Sequence, residues 1–198
     1  MTLIDDISHA IGDRTERKGK ATLALSGGSS PVALYEGLSE RDLDWSRVTV
    51  TLIDDRLVPP DHTDSNQKLI RQSLLQNKAR AARLISLQEW PADNIPDIAV
   101  LGMGVDGHFA SLFPAMMKDD HAFDPGARPA VITTPPMGKP LHARITMSLS
   151  MILAIPDRFL MVVGDEKETV LRDALNGADL PITRLLAHGG TRITHERI

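Results

Sequence analysis

The sequence contains no cysteine among its 198 residues. This absence excludes a disulfide framework, a thiolate metal site and a cysteine nucleophile, and it fits a reducing, cytoplasmic location. Aromatic residues make up only 4%, which disfavours base-stacking surfaces and sugar-stacking lectin sites. No apolar run approaches the roughly 20 residues that span a bilayer, and charges interrupt the N-terminal segment every few residues. We therefore expect neither a membrane segment nor a signal peptide.

The charge balance also lacks the basic excess that is typical of nucleic-acid binding. Lys plus Arg is 22 against 26 for Asp plus Glu, giving a net charge of -4, so we expect no nucleic-acid partner. No histidine pair has the helical spacing of a zinc site, and we predict no metal and no cofactor. The length suits one domain over residues 1–198. No heptad or apolar stripe indicates an oligomeric state.

Short apolar runs rich in Val, Ile and Leu recur between amphipathic or turn-rich stretches. Their continuous apolar character is typical of strands covered on both faces, as in a parallel sheet. The pattern predicts an α/β fold with a mostly parallel sheet flanked by helices. The predicted strands are residues 21–26, 48–53, 83–87, 98–102, 130–133, 144–148, 159–163 and 192–195.

Capping signals indicate three helix starts. Each combines a polar N-cap residue with a proline or with a partner at capping-box spacing. A helix of about ten residues is expected to end near Asn176 and Gly177. The three signals are Ser30 before Pro31, Asp64 with Gln67, and Asp165 with Glu168.

Three polar segments each follow a predicted strand, and ligands of open α/β sheets bind at the carboxyl ends of strands. In the first, two glycines permit close backbone approach before a helix begins, so free amides and the helix dipole predict a phosphate site. A plain tight turn with a capping serine fits the pattern equally well. The candidate residues are Gly27, Gly28, Ser29 and Ser30.

The second segment places Asp54 and Asp55 beside Arg56. Carboxylates in this position suit a polyol, and a guanidinium offers a planar fork to phosphate oxygens. Taken alone, the segment favours a solvated, charged turn that caps the next helix.

The third segment surrounds His108 with glycines, including Gly104, directly after a buried strand. A neutral imidazole is well matched to general-base catalysis near pH 7. Asp106 is placed to hold its tautomer, and the loop is expected to lead into a helix. The remaining histidines lack such a setting and are predicted to lie at the surface. They are residues 9, 62, 121, 142, 188 and 195.

These segments, in this order, resemble the 6-phosphogluconolactonase family. The family markers S-G-G-S-T-P, D-E-R-x-V-P with S-N, and G-M-G-x-D-G-H-T-A-S-L-F-P stand here as SGGSSP, DDRLVPPDHTDSN and GMGVDGHFASLFP. A fourth stretch, residues 136–146, is similar to the family's K-P-P-x-R-(I/V)-T segment. The resemblance covers roughly residues 21–146 and continues weakly to the C-terminus.

The resemblance implies hydrolysis of the δ-lactone of 6-phosphogluconate in the oxidative pentose phosphate pathway. It implies that His108 activates water and that Arg56 and Lys139 hold the phosphate together with the glycine loop. It also implies that Arg144 is a substrate- or phosphate-binding residue. The expected partner is a phosphorylated sugar lactone.

Two other functions remain open from the sequence. A non-catalytic or weakly catalytic sugar-phosphate sensor would keep the phosphate contacts but would need no base. Glucosamine-6-phosphate isomerase shares the D-G-H motif, but a glutamate follows its histidine by five residues, where this chain has Phe113. The G-x-S-x-G elbow of serine hydrolases is absent.

Overall fold

The computed structural model describes residues 2–91 and 93–195. Seven helices and nine strands follow one another along this part of the chain, with short 3-10 turns at Trp45–Arg47, Asn77–Ala81 and Pro114–Met116. The helices are α1 (Leu3–Lys18), α2 (Val32–Ser39), α3 (Asn66–Ser73), α4 (Asp120–Phe123), α5 (Leu149–Ala154), α6 (Asp165–Leu175) and α7 (Pro181–Leu186). The strands are β1 (Ala21–Leu25), β2 (Val48–Leu52), β3 (Asp54–Arg56), β4 (Arg83–Leu84), β5 (Ile98–Gly102), β6 (Val131–Met137), β7 (His142–Met147), β8 (Asp157–Met161) and β9 (Thr191–Thr194).

The main sheet has six parallel strands in the order β4-β2-β1-β5-β8-β9. Its central side chains are fully buried, Leu23, Val50 and Val100 among them, which explains why these strands are continuously apolar in sequence. The predicted α/β fold with a mostly parallel sheet is confirmed. The strand order reverses between β1 and β5, and the crevice at such a reversal is the usual ligand site of an open α/β sheet.

A second sheet of three antiparallel strands, β3-β7-β6, was not predicted. The strands predicted at 130–133 and 144–148 exist but lie in this sheet, because the short turn between β6 and β7 permits only an antiparallel pair. Residues 54–56, interpreted from sequence as a charged turn, pair with β7 as β3. The second sheet therefore carries Asp54, Arg56 and Arg144.

All three predicted helix caps are wrong in detail, the first two as follows. Ser30 does not cap α2, because its hydroxyl accepts a hydrogen bond from Lys167 instead. The N-cap of α3 is Ser65 rather than Asp64, with Ser65 Oγ accepting from the amide of Gln67 at 3.1 Å. Both side chains that sequence patterns assign to capping are engaged in tertiary contacts.

Helix α6 begins where the sequence indicates, but Gly164 occupies its N-cap position, with φ of 101°. Its end at Asn176, followed by Gly177 with positive φ, is as predicted. Within the described ranges, no helix is both long and apolar enough to cross a membrane.

Candidate active site

The loop of residues 26–31 connects β1 to α2 at the carboxyl end of the main sheet. Within the described part of the chain, none of the backbone amides of residues 27–30 donates a hydrogen bond to a protein acceptor. Gly28 has φ of 91°, a conformation that side chains other than glycine adopt at a cost. Successive unpaired amides in such a turn form a cradle suited to an anion.

Arg56, at the end of β3, is held beside this loop. Its Nη1 donates to the carbonyl of Asp64 at 3.0 Å and to Oδ1 of Asn66 at 2.7 Å. The side-chain amide of Asn66 in turn donates through Nδ2 to the backbone carbonyl of Asp54 at 2.8 Å. A Cβ at Gly27 would overlap the Asn66 side chain, so this glycine allows the loop to pack directly against the residue that holds Arg56.

Asp55 secures the backbone around Arg56 rather than facing the site. Its carboxylate accepts hydrogen bonds from the amides of Arg56 at 2.8 Å and Asn66 at 2.7 Å. Burial raises the pKa of Asp55 above its ordinary value, and these backbone hydrogen bonds oppose that shift only in part.

Asp54 and Arg144 lie on the neighbouring strands β3 and β7, both almost fully buried, with Thr146 opposite Asp54 and Arg56 opposite Arg144. Asp54 Oδ2 accepts a hydrogen bond from Ser111 Oγ at 2.5 Å and lies 3.9 Å from Arg144 Nη1. Arg144 Nη2 donates to the carbonyl of Pro140 at 3.0 Å. Burial, followed by the charge of Arg56, lowers the pKa of Arg144.

His108 lies in the loop after β5, in contact with Asp106. Its Nδ1 is 2.5 Å from Asp106 Oδ1, which also accepts from the His108 amide at 3.2 Å. Burial opposes ionisation of Asp106, but the hydrogen bond and charge of His108 outweigh it and lower the pKa of Asp106. Because a carboxylate can only accept, Nδ1 carries the proton in this contact, which makes Nε2 the ring nitrogen that can accept a proton.

Two neighbours fix the plane of this imidazole. A Cβ at Gly104 would overlap Cε1 and Nδ1 of His108, so only glycine leaves room for the ring. The centroid of the Phe113 ring lies 4.6 Å from that of the imidazole. The Arg144 guanidinium lies 5.3 Å from the centroid of the same Phe113 ring.

The predicted helix after His108 is absent, because Phe109 pairs with Met103 and Leu112 in isolated β-bridges.

Lys167, in the first turn of α6, completes the site and was not predicted. Its Nζ donates to Ser30 Oγ at 3.2 Å, and burial lowers its pKa. The sequence does hold a signal for it, because Lys167 follows β8 as the other site segments follow β1 and β5. The same residues match a capping box, a pattern that indicates a helix start and not a ligand site.

These side chains surround one cavity of about 240 Å³. Among the residues that the structure describes, the charged side chains that line it are three cations, Arg56, Arg144 and Lys167, and one carboxylate, Asp54, and His108 lines it as well. Such a cavity suits a small, negatively charged ligand with hydroxyl groups. Among the described residues, no group of three or more His, Asp or Glu side chains could hold a metal ion.

Comparison with known proteins identifies the family. A model of the glucosamine-6-phosphate isomerases/6-phosphogluconolactonase family matches residues 1–194. A 6-phosphogluconolactonase of Neisseria meningitidis is 39% identical over 96% of this chain and 90% of its own length. The chain belongs to the 6-phosphogluconolactonase family. The predicted family and enzyme class are thereby confirmed.

Solved structures agree with this family assignment. A Neisseria gonorrhoeae protein superposes with a TM-score of 0.86 at 36% identity, covering 98% of this chain and 92% of the other. The 6-phosphogluconolactonase from Shewanella baltica superposes with a TM-score of 0.85 at 35% identity, covering 98% and 90%. The lactonase fold thus extends over nearly the whole chain.

Most residues predicted from the lactonase motifs meet at the cavity. Those that line it are Gly27, Gly28, Ser29, Ser30, Asp54, Arg56, Gly104, His108 and Arg144. Asp106 does not line it but contacts His108. Lys139 is exposed on the turn between β6 and β7 and is not among the lining residues. Its phosphate-binding role stays a prediction.

Proposed function

We propose that this protein hydrolyses 6-phospho-D-glucono-1,5-lactone to 6-phosphogluconate, with His108 as the general base. One observation carries the proposal. His108, which Asp106 contacts from outside the cavity lining, shares a single small cavity with three cationic side chains and the unpaired amides of residues 27–30. A base and an anion cradle in one cavity suit a phosphorylated substrate whose reacting carbon lies a few bonds from its phosphate.

The substrate phosphate binds at the loop of residues 27–30, between Arg56 and Lys167. Loop amides donate to phosphate oxygens, Arg56 supplies a planar fork, and Lys167 supplies a point charge. Asp54 is positioned by Ser111 and accepts hydrogen bonds from hydroxyl groups of the sugar. The remote phosphate thereby orients the lactone carbonyl toward His108.

In the reaction, Nε2 of His108 takes a proton from water as the water oxygen bonds to C1 of the lactone. The resulting oxyanion is stabilised by the positive charges of the cavity. When the bond between C1 and the ring oxygen breaks, the imidazolium returns its proton to that oxygen. Asp106 holds the ring and stabilises its charged form, and a positioned base of this kind contributes about 10²–10⁴-fold.

The isomerase alternative lacks support in this cavity. At the position where the isomerase has its glutamate, Phe113 is buried between His108 and Arg144. A phenyl ring can take no part in proton transfer, and it excludes water from that face of the imidazole.

The proposal treats residues 1–198 as one lactonase domain acting in the cytoplasm on a small molecule. The family match over residues 1–194 supports the single domain. A phosphorylated lactone is charged and crosses membranes poorly, which supports action in the compartment where it is made.

The test is lactone hydrolysis with the phosphorylated substrate generated in situ at slightly acidic pH, where spontaneous ring opening is slow. Wild type and His108→Ala are compared, with unphosphorylated gluconolactone as the second substrate. We expect fast turnover of the phosphorylated lactone and a loss of more than about 10²-fold in the variant. His9→Ala, on an exposed face of α1, is the matched control and keeps full activity.

Two results would contradict the proposal. Unchanged turnover in His108→Ala would move the base to another residue. Binding of the sugar phosphate without turnover in wild type would favour a sensor over an enzyme.

A further inference from the structure

Asp64 lies between two histidines that the catalytic site does not use. Its Oδ2 accepts a hydrogen bond from Nε2 of His142 at 2.8 Å, and its amide donates to Nδ1 of His62 at 3.1 Å. The two imidazole rings meet edge to face with centroids 5.8 Å apart. The hydrogen bond from His142 is the largest influence on the carboxylate and lowers the pKa of Asp64. Asp64 is therefore an ionised, tethered residue rather than a solvated turn residue.

The backbone of Asp64 reaches the cavity through Arg56. The Asp64 carbonyl and the Asn66 side chain accept both hydrogen bonds that the Arg56 side chain makes within the described part of the chain, and both come from Nη1. Nη2 is left without a protein acceptor on a side chain that lines the cavity. The orientation of the Arg56 guanidinium therefore depends on the position of the Asp64 carbonyl.

His142 joins Asp64 to the second sheet through the Asp64 carboxylate, next to the carbonyl that accepts from Arg56. It is the first residue of β7, and Arg144, two residues further along the strand, lines the same cavity. The amide of Leu57 donates to the carbonyl of Ala143 at 2.8 Å, which joins the start of the loop of residues 57–65 to β7. The contact between Asp64 and His142 joins its end.

We propose that Asp64 and His142 are positioning residues that hold Arg56 in register with Arg144 for the substrate phosphate. This inference rests on the proposed function. The Asp64–His142 contact is partly exposed, with side-chain exposures of 32% and 27%, so it adds little to folding stability. Instead, the contact affects the orientation of the Arg56 guanidinium, whose planar geometry matters for phosphate binding.

The experiment compares His142→Leu with His142→Gln, because Gln keeps an N–H donor at similar reach. Loss of one charge-assisted hydrogen bond predicts a KM for the phosphorylated lactone about 5- to 10-fold higher in His142→Leu. The kcat stays within about twofold, because the interaction is equal in ground and transition states. His142→Gln restores KM, and turnover of unphosphorylated gluconolactone is the same in all variants.

A matched control separates positioning from general damage. His9→Leu, on α1, removes an exposed histidine away from the cavity and leaves KM unchanged. Equal losses with both lactones, or a lowered melting temperature with unchanged KM, would overturn the inference and leave only a structural role for His142. Failure of His142→Gln to rescue KM would overturn it as well.

Calorimetric binding of 6-phosphogluconate separates this inference from the proposed function. If wild type binds 6-phosphogluconate but does not turn over the lactone, the lactonase proposal fails, and weaker binding by His142→Leu still supports the positioning role. If wild type is active and His142→Leu binds and reacts normally, only the positioning role fails. If wild type binds no 6-phosphogluconate, both fail.

Discussion

Replacing Lys167 with methionine tests the part of the site that sequence patterns did not reveal. Lys167→Met keeps an unbranched side chain that is one atom shorter and removes the charge and the hydrogen bond to Ser30. Burial already lowers the pKa of Lys167, so the ammonium group is partly desolvated before the substrate arrives. A desolvated cation interacts more strongly with an incoming phosphate than a surface lysine does.

The magnitude follows from the kind of contact that is lost. A hydrogen bond to a charged group contributes about 1.5–3 kcal/mol, which corresponds to about 10- to 150-fold in kcat/KM for the phosphorylated lactone. Because the contact lies at the phosphate, unphosphorylated gluconolactone should react at the same rate in both proteins. Lys139→Met is the comparison, since Lys139 is exposed outside the cavity lining, and we expect a change below about threefold.

The assay is steady-state hydrolysis with both lactones, followed by proton release in weak buffer. A larger loss in Lys139→Met than in Lys167→Met would refute the reasoning and return the phosphate contact to the residue that the family motif indicates. The lowered pKa of Lys167 adds a second signature. Because burial lowers the pKa of Lys167, affinity for 6-phosphogluconate should fall at a lower pH than that at which an ordinary lysine loses its proton, and Lys167→Met should lack this step.

Three further variants test how the base is held. Gly104→Ala places a methyl group against the His108 ring and should displace it. We expect this displacement to lower kcat, measured at saturating lactone, by about 10²-fold. A normal kcat would show that the ring can move without loss of activity. Phe113→Leu removes the ring stacked on His108 and Arg144, which predicts about 1–2 kcal/mol lower stability in urea unfolding and a reduced kcat; an unchanged unfolding midpoint would contradict the packing role. The pKa of Asp106 is lowered in the folded state, so its contribution to stability is present above about pH 4 and is lost as pH falls through the folded value. The melting temperatures of wild type and Asp106→Asn should therefore differ most above pH 4 and converge below it; a constant difference would exclude this linkage.

The sequence predicted the main sheet well because its strands are buried on both faces. Runs such as residues 98–102 are continuously apolar, and the structure places β5 over the same residues. It also predicted His108 and the glycine loop, because strand ends in an open α/β fold mark the ligand crevice. Local pattern and tertiary position agree in these elements.

The second sheet and the clustering of its charged residues could not be predicted in the same way. Asp54 and Arg56 read as a charged turn, because three residues are too few to show a strand period. Their pairing with β7 brings together residues about 90 positions apart in the chain, and nothing local specifies that contact. His142 was predicted to be a surface residue for the same reason, since its partner Asp64 lies 78 residues away.

The division of the site between two sheets explains which of its features the sequence could show. The parallel sheet supplies the glycine loop, the proposed base His108 and, through α6, Lys167, each after one of the strands β1, β5 and β8. The antiparallel sheet supplies Asp54, Arg56 and Arg144. A phosphate bound between Arg56 and Lys167 therefore contacts residues of both sheets, so the relative position of the two sheets sets the distance between the phosphate and His108.

Contacts that connect the two sheets, such as the hydrogen bond from Ser111 to Asp54, should then influence catalysis more than their contributions to folding stability indicate. Ser111→Ala should lower kcat for the phosphorylated lactone by more than the roughly tenfold that about 1.4 kcal/mol represents, with the melting temperature as the control; a loss of stability with unchanged kcat would contradict this role for the two-sheet contact.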